Sequence, residues 1–350
     1  MDFLGIDIGF GTTDILVISE GKIYKMVLPT RGQQLAKQVR NYQGDVYIEG
    51  IEMGGNPLSE ALKGKIKEGF DVFITHKAAA TINYNFKKLQ ERGFTLISEN
   101  EFKSANKNKA LTIHTADFLP DRLNNFLEGQ NISTNFDIVA VAVQDHGKTK
   151  KSSTEFRGIW IQEQLKKMPY LDSFLFSETQ IPPYLIRMKE IHNHFKSFYP
   201  ESRFYVMDTV FAAIQGAIYS QTTSANIISM DIGNGHTAAV SLASEEICGY
   251  FEFHTSAITP TKLEWAINKL IKGNLSNEEI WKEEGHGALT RKPISVPYNI
   301  FVTGPHRRLI TETNLEYYFA NPLGDMMITG CVGLAHGIEI REKIDLLFPF

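Results

Sequence analysis

The chain has 350 residues, 43% hydrophobic and 22% charged, with 36 Lys and Arg against 40 Asp and Glu for a formal net charge of −4. Those values suit a soluble globular protein of two domains or one large one, and they leave no basic footprint for nucleic acid. Two cysteines, Cys248 and Cys331, argue against a disulfide framework and exclude a four-cysteine zinc or iron–sulfur site within one chain. In chain order, residues 3–8 read as a strand, 9–12 as a turn, 14–18 as a strand and, after Glu20-Gly21-Lys22, 23–28 as a third strand of a meander. Residues 46–49 and 72–75 read as short strands of the same lobe, separated by a helix over 58–69. Helical spacing follows over 78–92, ending at Gly93, and over 117–127. Residues 136–143, FDIVAVAV, have the continuous apolar pattern of a strand buried on both faces. That strand ends in Gln144-Asp145-His146-Gly147, where open α/β sheets place ligands. Residues 148–203 read as helices and loops around a cleft mouth, with Lys148, Lys150 and Lys151 as a solvated run. A strand over 204–207, a helix over 209–220, a strand over 246–253, a helix over 260–272 and a strand over 297–303 complete the middle of the chain. The last element is a glycine-rich helix over 325–340, whose Gly330 and Gly333 would admit another backbone at close range. The opening residues lack a secretory leader and no apolar run approaches the ~18 residues of a membrane span, so the expectation is a cytoplasmic protein with reduced thiols and no membrane partner.

Two stretches match each other. Residues 3–17, FLGIDIGFGTTDILV, and 227–240, IISMDIGNGHTAAV, are both an apolar β-run, then Asp-Ile-Gly-x-Gly, then hydroxyl or imidazole residues, then an apolar run. Glycines at the bends, Gly9 and Gly11 in one and Gly233 and Gly235 in the other, let backbone N–H groups point into one concavity and cradle an anion. Thr12 and Thr13 add hydroxyl donors. Asp7 and Asp231 sit at strand ends, where one or two carboxylates suit Mg²⁺ held with substrate phosphates. The pair therefore suits a nucleoside triphosphate with its metal; the competing reading is two unrelated hairpins. A Walker A loop fits worse, since Ala142 stands where its first glycine belongs, and GFGTTD lacks the third glycine of a dinucleotide fingerprint.

These motifs, in this order, resemble the actin, heat-shock protein 70 and sugar kinase ATPases. Residues 5–13 are similar to their first phosphate loop and 230–237 to the second. Residues 211–217, FAAIQGA, resemble actin's first connecting helix, which implies that Gln215 orients the water attacking the γ-phosphate. Residues 301–307, FVTGPHR, resemble the adenosine loop, implying that Gly304 approaches the nucleotide and Arg307 stacks on adenine; 330–340 would be the second connecting helix. The chain departs from the pattern at Thr303, for the first adenosine-loop glycine, at His236, for a small residue, and at Ala238, where actin has histidine and heat-shock proteins aspartate. The implied fold is α/β: a two-lobed actin-like ATPase (ribonuclease H-like) fold, mixed sheets flanked by helices, with a nucleotide cleft between the lobes. The implied boundaries are 1–222 for the first lobe, with 145–203 as a variable cleft edge, 223–325 for the second, and 326–350 returning to the first. More narrowly, residues 144–147, 233–236, 254–255, 285–288, 302–305 and 330–331 resemble the DUF1786 family, which carries the label pyruvate formate-lyase activating enzyme. Such activases hold a 4Fe–4S cluster through a cysteine triplet that this chain lacks.

The implied cofactors are ATP and Mg²⁺, with Asp7 and Asp231 as metal residues and Gly9, Gly11, Thr12, Thr13, Gly233, Gly235, Thr237, Gly304 and Arg307 around the nucleotide. Gln215, Asp145 (a base for an acceptor hydroxyl) and His236 are the catalytic candidates. The leading expectation is ATP hydrolysis or phosphoryl transfer to a small-molecule or protein acceptor; the alternative is a nucleotide-gated switch with little turnover. A third reading is a metal hydrolase built on His146, His236 and His286, each beside glycine, and His306, which follows Gly304-Pro305, all in expected loops, and on His254 after a strand. His192 and His194, two apart, would point to different sides of a helix. Asp14 reads as a second metal carboxylate or a turn cap, Asp208 as a helix N-cap, and Cys331 as a close-packing residue.

Overall fold

The computed structural model describes residues 1–148, 153–219 and 226–347. Lys150, Lys151, Ser220, the expected boundary at 222–223 and the last three residues of the expected C-terminal segment lie outside them. The chain forms two compact units: one of Met1–Leu28, Ile132–Met188 and Tyr199–Phe350, the other of Pro29–Asn131 and Lys189–Phe198.

The first unit opens with β1 (Phe3–Ile8), β2 (Thr12–Ser19) and β3 (Lys22–Pro29), with β1 and β2 paired antiparallel in the expected meander. Positive φ at both Glu20 (52°) and Gly21 (72°) suits the tight turn between β2 and β3. The chain then builds the second unit around β4 (Val46–Gly50), β5 (Val72–Thr75), β6 (Phe94–Ile97) and β7 (Leu111–Thr115), a parallel sheet in the order β6-β5-β4-β7. Residues 46–49 and 72–75 are thus strands as expected, but in a sheet of their own. Leu35, Val39, Leu58 and Leu62, from the helices Arg31–Asn41 and Asn56–Lys67, join Val46, Ile48, Val72 and Ile74 in its core. The single helix expected over 78–92 is two, His76–Ala79 and Phe86–Glu91. The Asn85 side chain accepts the Lys88 N–H at 3.1 Å and starts a new helix, competing with continuation of the old one. The helix expected from 117 begins at Pro120, whose missing N–H costs nothing in a first turn.

Back in the first unit, β8 (Ile138–Val143) is buried at every residue and pairs parallel with β1. With β9 (Leu175–Ser177) and β10 (Arg203–Met207) the sheet order is β3-β2-β1-β8-β10-β9. The second sheet of this unit consists of β11 (Asn226–Ile232), β12 (His236–Ala243), β13 (Glu246–His254), β14 (Gly285–Thr290), β15 (Asn299–Thr303) and β16 (Tyr318–Phe319). Its order is β14-β13-β12-β11-β15-β16, with β15 parallel to β11 and β16 parallel to β15. With the antiparallel edge strands β9 and β14 set aside, both sheets carry an antiparallel meander beside two parallel strands in the order 3-2-1-4-5, counting from β1 in one and from β11 in the other. That repeated ribonuclease H-like arrangement is the mixed α/β, two-sheet fold of the actin-like ATPases.

Helices join the two sheets. Pro260–Lys272 has the sequence signals of both ends: Thr259 accepts the Lys262 N–H at 3.2 Å, Pro260 opens the first turn, and Gly273 closes it at φ 70°. Its Leu263, Ile267 and Leu270 pack on Ile228, Phe251 and Phe253. The helices Thr209–Ala217 and Thr329–Glu342 cross through glycine: a Cβ on Gly333 would overlap the Ala212 carbonyl, and one on Gly216 the Thr329 carbonyl. Ser229 Oγ donates to the Ile214 carbonyl at 2.8 Å, and Cys331 Sγ to the Asp14 carbonyl at 3.1 Å, so each helix is also fixed to a turn-bearing sheet. The final helix starts at Thr329 rather than 325, because Asp325 accepts the Met327 N–H at 2.9 Å and caps a 3₁₀ turn, Met326–Ile328. Among the described residues no helix is long and apolar enough to cross a membrane.

Candidate functional site

The two Asp-Gly turns close in the same way. Gly9 N–H donates to the Thr12 carbonyl at 3.0 Å, and Gly233 N–H donates to the His236 carbonyl at 2.9 Å. The turns meet: a Cβ on Gly11 would overlap the Asn234 amide, and one on Gly235 would lie 3.4 Å from Phe10 Cβ. Register sets Asp7 opposite Asp14 and Asp231 opposite Ala238. Asp7 Oδ1 accepts the Thr209 hydroxyl at 2.6 Å, and Asp14 Oδ2 accepts that of Thr12 at 3.2 Å, while Asp14 Oδ1 is buried with no partner. Room around these carboxylates depends on glycine. A Cβ on Gly330 would overlap the Asp7 carboxylate, and Gly304, at φ 97°, lies against the Ile232 carbonyl and 2.5 Å, at its hypothetical Cβ, from Asp231 Oδ1.

Crowding of like charges out of water has a measurable consequence. Burial pushes the Asp7 carboxyl up to about 7, against the Thr209 hydrogen bond and with the charge of Asp208 adding to the rise. Burial and then the charge of Asp7 push Asp14 and Asp231 each to about 8. Folded-state values above the unfolded value of 3.8 mean that the folded protein holds protons the unfolded chain has released. This contribution to stability is complete below the unfolded value and is lost as pH rises through about 7 to 8. Metal-free protein is therefore expected to unfold at lower urea as pH is raised from about 5.5 to about 8.5, a slope that saturating Mg²⁺ with ATP should flatten. A denaturation midpoint that rises over this range in chelator would contradict the site's electrostatics.

Other expected site residues have partners within the chain. Gln215 is buried, with Nε2 2.9 Å from His336 Nδ1. Asp145 is buried and accepts the Gly147 and Met188 N–H groups at 2.7 and 3.0 Å. Thr13 is buried, and Thr237 Oγ1 lies 3.1 Å from Thr255 Oγ1. Arg307 donates to the Ala320 carbonyl at 3.0 Å, its guanidinium 4.9 Å from the Phe319 ring centre. His194 Nε2 lies 3.1 Å from the Phe118 carbonyl.

Beside the second turn lies a buried polar cluster of which sequence reasoning saw only parts. Arg157, from the helix Ser153–Lys167, makes two bonds to Asp208, at 2.5 and 2.9 Å, and its Nε donates to Glu252 at 3.0 Å. All three are fully buried. Asp208 also caps its helix as expected, accepting the Val210 N–H at 3.1 Å. Tyr250 donates to the other Glu252 oxygen. The Arg157 charge, chiefly, holds the Glu252 carboxyl well below the usual range against its burial. Around Glu252 stand His236, His286, His254 and His146. The His254 and His286 rings meet edge to face at 4.0 Å. His236 and His286, expected in loops, lie in β12 and β14, and His254 ends β13. One signal for this cluster was present: Glu252 is a lone charge inside the apolar run GYFEF. Arg157 and Thr209 carried none.

A family profile described as "Putative pyruvate format-lyase activating enzyme (DUF1786)" matches residues 53–309, more than half of the chain. No curated protein sequence matches. Similar solved structures include a protein with actin-like ATPase fold and unknown function from Bacteroides thetaiotaomicron, at 9% identity and a TM-score of 0.35 over 95% of each chain. A ROK hexokinase from Thermus thermophilus is 10% identical, with a TM-score of 0.33 over 98% of this chain and 99% of that one. An exopolyphosphatase from Cytophaga hutchinsonii is 11% identical, with a TM-score of 0.25 over 75% of this chain and 52% of that one. The chain belongs to the DUF1786 family.

Proposed function

We propose that the chain binds ATP with Mg²⁺ at its paired turns and turns it over, by hydrolysis or by transfer of the γ-phosphoryl group to an acceptor. The observation that carries this reading is the convergence of two identically closed glycine turns with three carboxylates, the buried Asp7 and Asp14 and the half-buried Asp231. A hard divalent cation fits this donor set: it takes oxygen ligands, it would relieve the mutual repulsion of the carboxylates, and it would engage the orphaned Asp14 Oδ1. When bound, Mg²⁺ supplies charge neutralisation on phosphate oxygens. Asp7 and Asp231 hold it, with Asp14 behind them, and the Thr209 hydroxyl fixes the Asp7 carboxylate. The backbones of Gly9, Gly11, Gly233 and Gly235 and the hydroxyl of Thr12 bind phosphates, and Gly304 leaves room for the nucleotide beside Asp231. Positioning and electrostatics then supply most of the rate.

The test is ADP release by purified protein with Mg²⁺-ATP, alone and with pooled metabolites. Steady release identifies an ATPase, and release that appears only with an acceptor identifies a kinase. No nucleotide binding would sink the reading. A second reading, a nucleotide-gated switch, is favoured by the engagement of Gln215 with His336 and of Asp145 with two backbone N–H groups. In each case a polar atom of the candidate is already engaged by a neighbour in the chain. Tight binding without release supports the switch.

A further inference from the structure

We propose that His236, His254 and His286 hold a divalent transition-metal ion of the zinc class, with Glu252 positioning their imidazoles. One ligand atom from each of the three lies within 4.8 Å of the others. They come from three adjacent strands rather than from loops, so the arrangement is built into the sheet. The β12–β13 register sets His236 directly opposite His254. Between β13 and β14 the register shifts: Glu252 faces Gly287 while Phe253 faces Gly285, and His286 is the extra residue of this bulge. A bulge re-aims a side chain, and here it turns His286 in beside the other two rings.

Two observations point to a cation site. His286 is only 2% exposed, yet neither of its ring nitrogens makes a hydrogen bond. Buried polar atoms are seldom left so. The charges of the cluster are also unequal in number. Arg157 meets two fully buried carboxylates, Asp208 and Glu252, and Glu252 also faces the imidazoles of His236 and His286, where a bound cation would offset the second carboxylate. His236 Nδ1 lies 2.6 Å from Glu252 Oε1, and His286 Nδ1 lies 3.6 Å from the same oxygen. A carboxylate behind imidazole ligands is the usual device for fixing their orientation and raising their basicity.

Ligand chemistry separates this site from the carboxylate cluster. Imidazole nitrogens suit zinc, copper, iron or nickel, whereas carboxylates suit magnesium. Three protein ligands leave a coordination position open, as in catalytic zinc centres. The site is joined to the second turn through the chain itself: His236 follows Gly235, and Thr255, next to His254, donates to the Gly233 and Gly235 carbonyls at 2.7 and 3.0 Å. The inference does not depend on nucleotide binding.

The test uses tag-free, full-length protein stripped with chelator, without Mg²⁺ or ATP. Co²⁺ titration followed by visible absorption, and Zn²⁺ titration by calorimetry, should each saturate at a single ion per chain. His254→Ala removes an exposed side chain at a strand end and should weaken both titrations about 100-fold, with Glu252→Gln costing about 10-fold. Zn²⁺ should raise the melting temperature of the wild type and not of His254→Ala. No visible Co²⁺ band and no Zn²⁺ heat would overturn the proposal, as would unchanged affinity in a folded His254→Ala protein.

Discussion

Replacing Arg157 with methionine is expected to lower the unfolding free energy by about 3–5 kcal/mol, the cost of removing one partner from a buried ion pair. Methionine keeps most of the length and apolar volume of arginine, so packing is not the main loss. What remains is two carboxylates, Asp208 and Glu252, both fully buried and without the guanidinium that bridged them. Asp208 also caps the Thr209–Ala217 helix, so any movement it makes toward water would release that cap. The triple change Arg157→Met, Asp208→Asn, Glu252→Gln removes the charges together and should recover part of the loss. Urea unfolding followed by tryptophan emission reads this directly. Trp160, Trp265 and Trp281 are the chain's three tryptophans, and all lie in the unit that contains the cluster. A single variant within about 0.5 kcal/mol of wild type, the range of an ordinary surface change, would show that the three residues do not act as a charge-coupled group.

Asp7→Ala should abolish Mg²⁺-dependent ATP binding in a calorimetric titration, a loss of about 100-fold or more in affinity, since second-sphere changes alone cost about 10–100-fold. The same change should leave the metal-free protein as stable as wild type or more so. Asp7 is buried, and its charge raises both Asp14 and Asp231, so its removal relieves repulsion while Thr209 loses one hydrogen bond. The two measurements together separate a ligand from a structural residue, because a structural residue would lower both. Unchanged ATP binding would defeat the assignment of the carboxylate site.

Much of the frame was legible in the sequence. The strand-turn-strand units around Asp7 and Asp231, the run 136–143 and the helix from Pro260 to Gly273 all announce themselves through local chemistry: apolar runs, glycine bends, a threonine cap and a proline start. The second unit did not. Its strands at 46 and 72 have the same local pattern as first-sheet strands, and which sheet a strand joins is decided by long-range pairing that no local pattern encodes. The site divides in the same way. Asp7, Asp14 and Asp231 could be read because turn glycines flank them. Arg157, Thr209 and the bulge at His286 could not, since each acts through a partner from 51 to 202 residues away or through a register shift. Burial also gave two of the expected residues a setting that the sequence does not show, for Gln215 and Asp145 are held by neighbours of their own.

The matched closure of the two turns has a consequence for direction. Position by position the frames coincide, with Asp7 beside Asp231, Gly9 beside Gly233, Gly11 beside Gly235 and Thr13 beside Thr237. Ile8 matches Ile232 as well, and three places differ: Phe10 against Asn234, Thr12 against His236, and Asp14 against Ala238. One rim is thus doubly acidic and hydroxylic, the other singly acidic, amidic and aromatic in its nitrogen donors. A ligand laid across both cannot be reversed without exchanging these surroundings. A duplicated scaffold furnished unequally tells head from tail, which a perfectly repeated one could not do.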